Sequence, residues 1–118
     1  MIDDEVYNLL KGLTTPANRV YPVAAPENIG AGDYIVVQRI TTVPENHLEG
    51  SSGLYRSRFQ VNAISSAFEA SRSLLDSVRA AFAGWSARQT LHLGDNPDTQ
   101  DEVTRLFAAS SDFAIWHD

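Results

Sequence analysis

One strongly amphipathic stretch divides this chain and limits what it can fold into. From Ser66 to Ala83 the apolar residues Ala67, Ala70, Leu74, Val78, Ala81 and Phe82, continued by Trp85, fall on one helical stripe. Ser66 and Glu69 make an S-x-x-E capping pattern at its start, and Gly84 stands where a left-handed C-cap would end it. Asp76 is spaced to pair with Arg72 and Arg79 on the solvent side, for a few tenths of a kcal/mol. On both sides of this helix the sequence reads as strands. One helix between two strand groups cannot supply the crossovers of a parallel α/β sheet. The expected class is therefore α+β: a mostly antiparallel sheet, with an N-terminal helix and one long central helix packed on one face.

The remaining elements fit that frame. Ile2 to Leu13 reads as a short helix, with Val6, Leu9, Leu10 and Leu13 at helical spacing, Asp3, Asp4 and Glu5 at its N-terminus, Lys11 near its end and Gly12 as a stop. Arg19 to Val23 is a short extended piece that Pro22 assigns to a sheet edge. Ala24 to Asp33 reads as a loop, and Tyr34 to Thr41 as an inner strand, apolar on both faces over Tyr34 to Val37. Val43 to Gly53 reads as a polar loop. Leu54 to Ser65 alternates, with Tyr55, Phe59, Val61 and Ala63 on one face and Arg56, Arg58, Gln60 and Asn62 on the other. Gln89 to Leu93 is a short strand, Gly94 to Glu102 an acidic loop, and Val103 to His117 a final strand that closes a long hairpin.

Bulk properties bound the function. The 118 residues fit one domain, 1–118, with one ordinary core. Hydrophobic residues are 43% and charged residues 20%, the balance of a globular chain. No apolar run approaches the ~20 residues needed to span a bilayer. Met1-Ile2-Asp3-Asp4-Glu5 carries the wrong charge for a leader peptide, which implies residence in the cytoplasm until partners are met. The absence of cysteine excludes disulfides, thiolate metal sites and cysteine nucleophiles. The net charge of −6 opposes tight binding to a duplex, because displacing phosphate counterions needs a positive field.

Few residues invite a catalytic reading. His47, His92 and His117 are scattered and have no ligand-spaced neighbours. No serine lies in G-x-S-x-G, and Gly50 to Gly53 lacks the lysine of a phosphate loop. Asp95, Asp98, Asp101 and Glu102 lack EF-hand order; they read as a solvated hairpin tip, with a weak divalent-ion site or a docking loop as the sharper alternatives. Arg56 and Arg58 share one strand face. Their plain reading is a solvated surface, and the sharper one is a guanidinium pair that grips carboxylates of a neighbouring subunit. An acidic loop on one copy and a basic strand face on the next would build a head-to-tail ring. Trp85 and Trp116 read as packing residues, either of which could anchor an interface. No catalytic, cofactor-binding or metal-binding residue is expected.

The order of short motifs resembles a known family. It runs from Leu9-Leu10 through Arg19-Val20-Tyr21-Pro22, Ala25-Pro26, Tyr34-Ile35-Val36-Val37-Gln38, Arg58-Phe59-Gln60-Val61 and Ala67-Phe68-Glu69-Ala70 to Val78-Arg79. It closes with Asp112-Phe113-Ala114-Ile115-Trp116. This is similar to the tail completion, or tail terminator and head-to-tail joining, proteins of long-tailed phages, prophages and gene transfer agents. The resemblance implies a structural protein without enzymatic activity. It implies a hexameric ring on the head-proximal end of the tail tube, contacting the tail tube protein and the head connector or neck protein. DNA would pass through without sequence-specific binding, and the protein would move from host cytoplasm to virion tail. The interface residues expected from the physical reading are Arg56, Arg58, His47, Glu49, Asp95, Asp98, Asp101 and Glu102, with the polar loop Thr42 to Gly53 ordering on docking. The alternatives are a head-closure or neck protein and a small α+β ligand-binding module or enzyme.

Overall fold

Sheet strands that alternate need a cover on their apolar side, and two helices supply it. The computed structural model describes residues 2–14, 19–22, 32–47, 50–102 and 105–117. The elements are α1 (Ile2–Leu10), β1 (Val20–Pro22), β2 (Tyr34–His47), β3 (Gly50–Ser65), α2 (Phe68–Ala83), β4 (Gln89–Gln100) and β5 (Phe107–His117). The sheet order is β1-β2-β3-β5-β4. Among the described residues β1 pairs with β2 in parallel, and the other three pairings are antiparallel. The α+β class with a mostly antiparallel sheet holds, and Pro22 sits on an edge strand as its missing N–H requires.

The register sorts the strands into two faces. Ile35, Val61 and Ala109, with Phe59, Phe113 and Ile115, line the helix side and are fully or almost fully buried. Val6 and Leu10 of α1 and Leu74, Leu75, Val78 and Phe82 of α2 close the core over them. Phe82 stacks on Phe113 with ring centroids 4.3 Å apart, and Trp85 meets Phe82 edge-on. Trp85 is thus a packing residue.

Several local expectations give way to tertiary pairing. The Ser66–Glu69 capping box does not form. Ala67 is the N-cap without a side-chain cap bond, and Ser65 Oγ instead accepts from the Ala67 N–H at 3.3 Å. Gly84 ends α2 at φ −88°, not left-handed; its N–H donates to the Ala80 carbonyl and the Trp85 N–H to the Phe82 carbonyl. The helix α1 stops at Leu10, and a turn carries Leu13. The segment read as the loop Val43 to Gly53 is largely β-ribbon, because β2 and β3 pair from Tyr34↔Ile64 out to His47↔Gly50. The expected acidic loop is mostly strand: β4 runs through to Gln100, and β5 begins at Phe107 rather than at 103.

Candidate functional site

Edge strand β4 holds Asp95 and Asp98, and two irregularities decide where they point. Between His92 and Gly94 the register with β5 slips, leaving Leu93 as an extra residue; Gly94 takes φ 138°, a conformation that side chains rarely allow. Asp95 therefore pairs opposite Ser111 on the helix side, where it would otherwise have faced away. A second slip between Asn96 and Thr99 follows at Pro97 and Asp98. Both carboxylates then meet α2. Arg79 Nη1 donates to Asp95 Oδ2 at 2.8 Å, and Arg72 Nη1 donates to Asp98 Oδ1 at 3.0 Å. Arg79 also reaches Asp76, as the helix spacing predicts. The hydroxyl of Ser111, partly opposed by burial, and then Arg79 and His92, hold the Asp95 carboxyl below the ordinary carboxylate range.

This cluster brings Ser111, His92 and Asp95 together without making a nucleophile. The Ser111 hydroxyl donates to Asp95, not to His92, and Ser111 is fully buried. His92 Nε2 lies 3.2 Å from the same carboxylate. Another pair, this one buried, joins Ser57 Oγ and His117 Nε2 at 2.7 Å and continues to Thr42 at 2.8 Å. Ser57 is also fully buried, out of reach of any substrate. Sequence reasoning missed both pairings, since 60 residues separate Ser57 from His117. Among the described residues, no group of three or more His, Asp or Glu is set to hold a metal ion, and no helix is long and apolar enough to cross a membrane.

Arg56 and Arg58 do share a face, the one that carries no helix. Arg58 lies across from Ala114 and reaches diagonally to Asp112, its Nε donating to Oδ2 at 3.2 Å. Asn96 Nδ2 donates to the other oxygen of Asp112 at 3.0 Å. Arg58 remains half-exposed while doing this. Beside the arginines lie Thr41 and Val43 from β2, Leu91 and Leu93 from β4, and Ala114 and Trp116 from β5, together lining a shallow groove. Leu91 is 53% and Leu93 44% exposed, high values for leucine in a sheet.

The structure therefore separates the candidate interface residues. Arg56 and Arg58 stand on the open face, whereas Asp95 and Asp98 turn to α2. Asp101 and Glu102 lie at the β4–β5 turn, where the backbone carbonyl of Asp101 accepts from the Arg105 N–H at 2.8 Å. The backbone of His47 belongs to the β2–β3 ribbon; its side chain and the whole of Glu49 lie outside the described residues. The leucines of the open face were missed by sequence reading. Their signal is the Leu91-His92-Leu93 alternation, which was read only as a short strand.

The chain lengthens along its strands. It measures 52 × 25 × 24 Å, and β3 pairs with β5 only as far as Tyr55↔His117. Beyond that point β2 and β3 continue as a two-stranded arm to His47↔Gly50.

Comparison with curated proteins finds no match. A family model described as tail completion protein gp17 matches residues 2–118, essentially the whole chain. That family is structural and not enzymatic. The chain belongs to the phage tail completion protein family and serves phage tail assembly as a structural protein.

Proposed function

We propose that this protein caps the tail tube as a homomeric ring, six copies by the family resemblance, and joins the tube to the head connector. The observation that carries this reading is the β2–β3 arm. An isolated two-stranded ribbon is marginal in water. This one extends past the last β3–β5 pair, and among the described residues β1 covers the outer side of β2 at Ile35 to Val37. Exposed ribbon edges are templates for further strands. An arm of this kind suits a subunit whose ordering is completed by a neighbour or by the tube end.

The charge pattern supports the same reading. A net charge of −6 suits a component that DNA slides past without sticking. The protein would be made in the host cytoplasm and end in the virion tail. A head-closure or neck role would use the same arm on a different partner, so the tail tube is the discriminating probe.

The test replaces residues 46–53 by an Asn-Gly turn, which joins the paired Glu45 and Leu54, and measures mass by light scattering, alone and with assembled tail tubes. The full-length chain is expected to collect on tube ends as a multimer. The shortened chain is expected to fold, because the core lies elsewhere, but to lose tube binding. A full-length chain that ignores tubes at every concentration would overturn the terminator reading.

A further inference from the structure

Two surfaces of this chain are complementary and do not overlap. The first is the groove on the helix-free face, with Val43, Leu91, Leu93 and Trp116 as apolar walls and Arg56 and Arg58 as its cations. The second lies at the opposite edge of the sheet, between α1 and β1, where Tyr7, Tyr21, Pro22 and Val37 line a cleft with Asp3 and Asp4 at its rim. Asp4 and Tyr7 are exposed, and Asp3 stays 39% exposed while it pairs with Arg39 at 3.5 Å. β1 and β4 are the two edge strands, so neither surface blocks the other.

We propose that the groove of one copy receives the α1–β1 edge of the next copy. Asp3 and Asp4 would meet Arg56 and Arg58, and Tyr7 would cover Leu91 and Trp116. This assignment rests on the ring reading above and gives it an interface.

Three physical arguments favour a second copy in this orientation. Copies that each carry −6 repel, so association is favoured where positive charge on one meets negative charge on the other. An arginine carries five N–H donors in a fork, so Arg58 can hold Asp112 and still receive a carboxylate from outside. Like-with-like docking is opposed from both sides: groove on groove sets Arg against Arg, and edge on edge sets Asp against Asp. Only the unlike pairing brings opposite charges together. An unlike pairing is heterologous, and repeated rotation closes it into a ring.

The lack of native cysteine makes the test direct. Tyr7→Cys and Leu91→Cys are both at exposed positions, as are Asp4→Cys and Arg56→Cys, which serve as a second pair. Each single variant is mixed with its counterpart on tail tubes and oxidised mildly. A disulfide forms only where Cα atoms come within about 7 Å. The expected result is a covalent dimer in one or both mixtures, its loss when either variant is oxidised alone, and a ladder of multimers from the double variant. Dimers from single variants alone would overturn the head-to-tail arrangement. Rings visible at tube ends without cross-linking in either mixture would overturn these surfaces while leaving the ring reading intact. Subunits that never assemble on tubes would overturn both.

Discussion

The two faces of the sheet are made by the same strands, residue by alternate residue, and differ in almost every physical respect. On the helix side Phe59, Val61, Phe113 and Ile115 are at most 1% exposed, closed over by α1 and α2. On the other side Arg58, Leu91 and Leu93 are open, and no described element covers them. The covered face holds the chain together. The open face combines apolar area with charge, which a lone soluble subunit has little reason to display and an assembling subunit can use. The difference is produced by bulges as much as by alternation. The extra residue Leu93 turns Asp95 toward Arg79, removing a carboxylate from the open face, where Asp112 is held by Arg58 and Asn96.

If the covered face carries stability, truncation there gives the largest effect. Phe113→Ala is expected to cost about 3–5 kcal/mol, a large share of the ~5–15 kcal/mol typical of a domain. Urea unfolding measures it; a loss below 1 kcal/mol would contradict the assigned core. The bulge separating the faces comes next. At φ 138° Gly94 occupies a region that side chains strain to enter, although space around it is open. Gly94→Ala is expected to cost about 1–3 kcal/mol through the backbone alone; a neutral result would remove the bulge from the account.

A smaller effect follows from Asp95. Its carboxyl is depressed below the ordinary value of 3.8, so its contribution is present above that value and is lost as pH falls through the folded value. Asp95→Asn should lower stability near neutral pH by less than about 1 kcal/mol, because the partners are partly exposed. The gap between native and variant urea midpoints should close on acidification. A gap independent of pH would mean that Asp95 acts by packing rather than by charge. The smallest effect on stability is expected on the open face. Leu91→Ser should change it within about ±0.5 kcal/mol while weakening attachment to tail tubes, which co-sedimentation reads. Arg58→Glu is a poorer probe, because it would set a second carboxylate beside Asp112.

How much of this was legible in the residues depends on whether the deciding force was local. The alternation from Leu54 to Ser65 encodes its own burial, and so does the α2 stripe at Leu74, Val78 and Phe82; Ala67 of that stripe is exposed, and Ser71 and Leu75 outside it are buried. Pro22 marked an edge. The arm was illegible because Val43 to Gly53 has loop composition, and its extended form comes from β2 pairing with β3. Likewise Gly94, Asn96 and Pro97 read as loop residues, yet an edge strand tolerates them through bulges. The capping box failed because the helix begins one residue later than the pattern implies, with Ala67 as N-cap, which puts Ser66 outside the cap position. For the candidate site, the arginines and carboxylates could be found by charge alone. Which of them pair within the chain could not, since Arg79 and Asp95 meet only after β4 has slipped by one residue.

The most direct measurement is electron microscopy of purified tail tubes incubated with this protein and then challenged with fresh tube protein. The account predicts a ring of density at one end of each tube and no further growth from that end. Bare ends on tubes that continue to lengthen would contradict it.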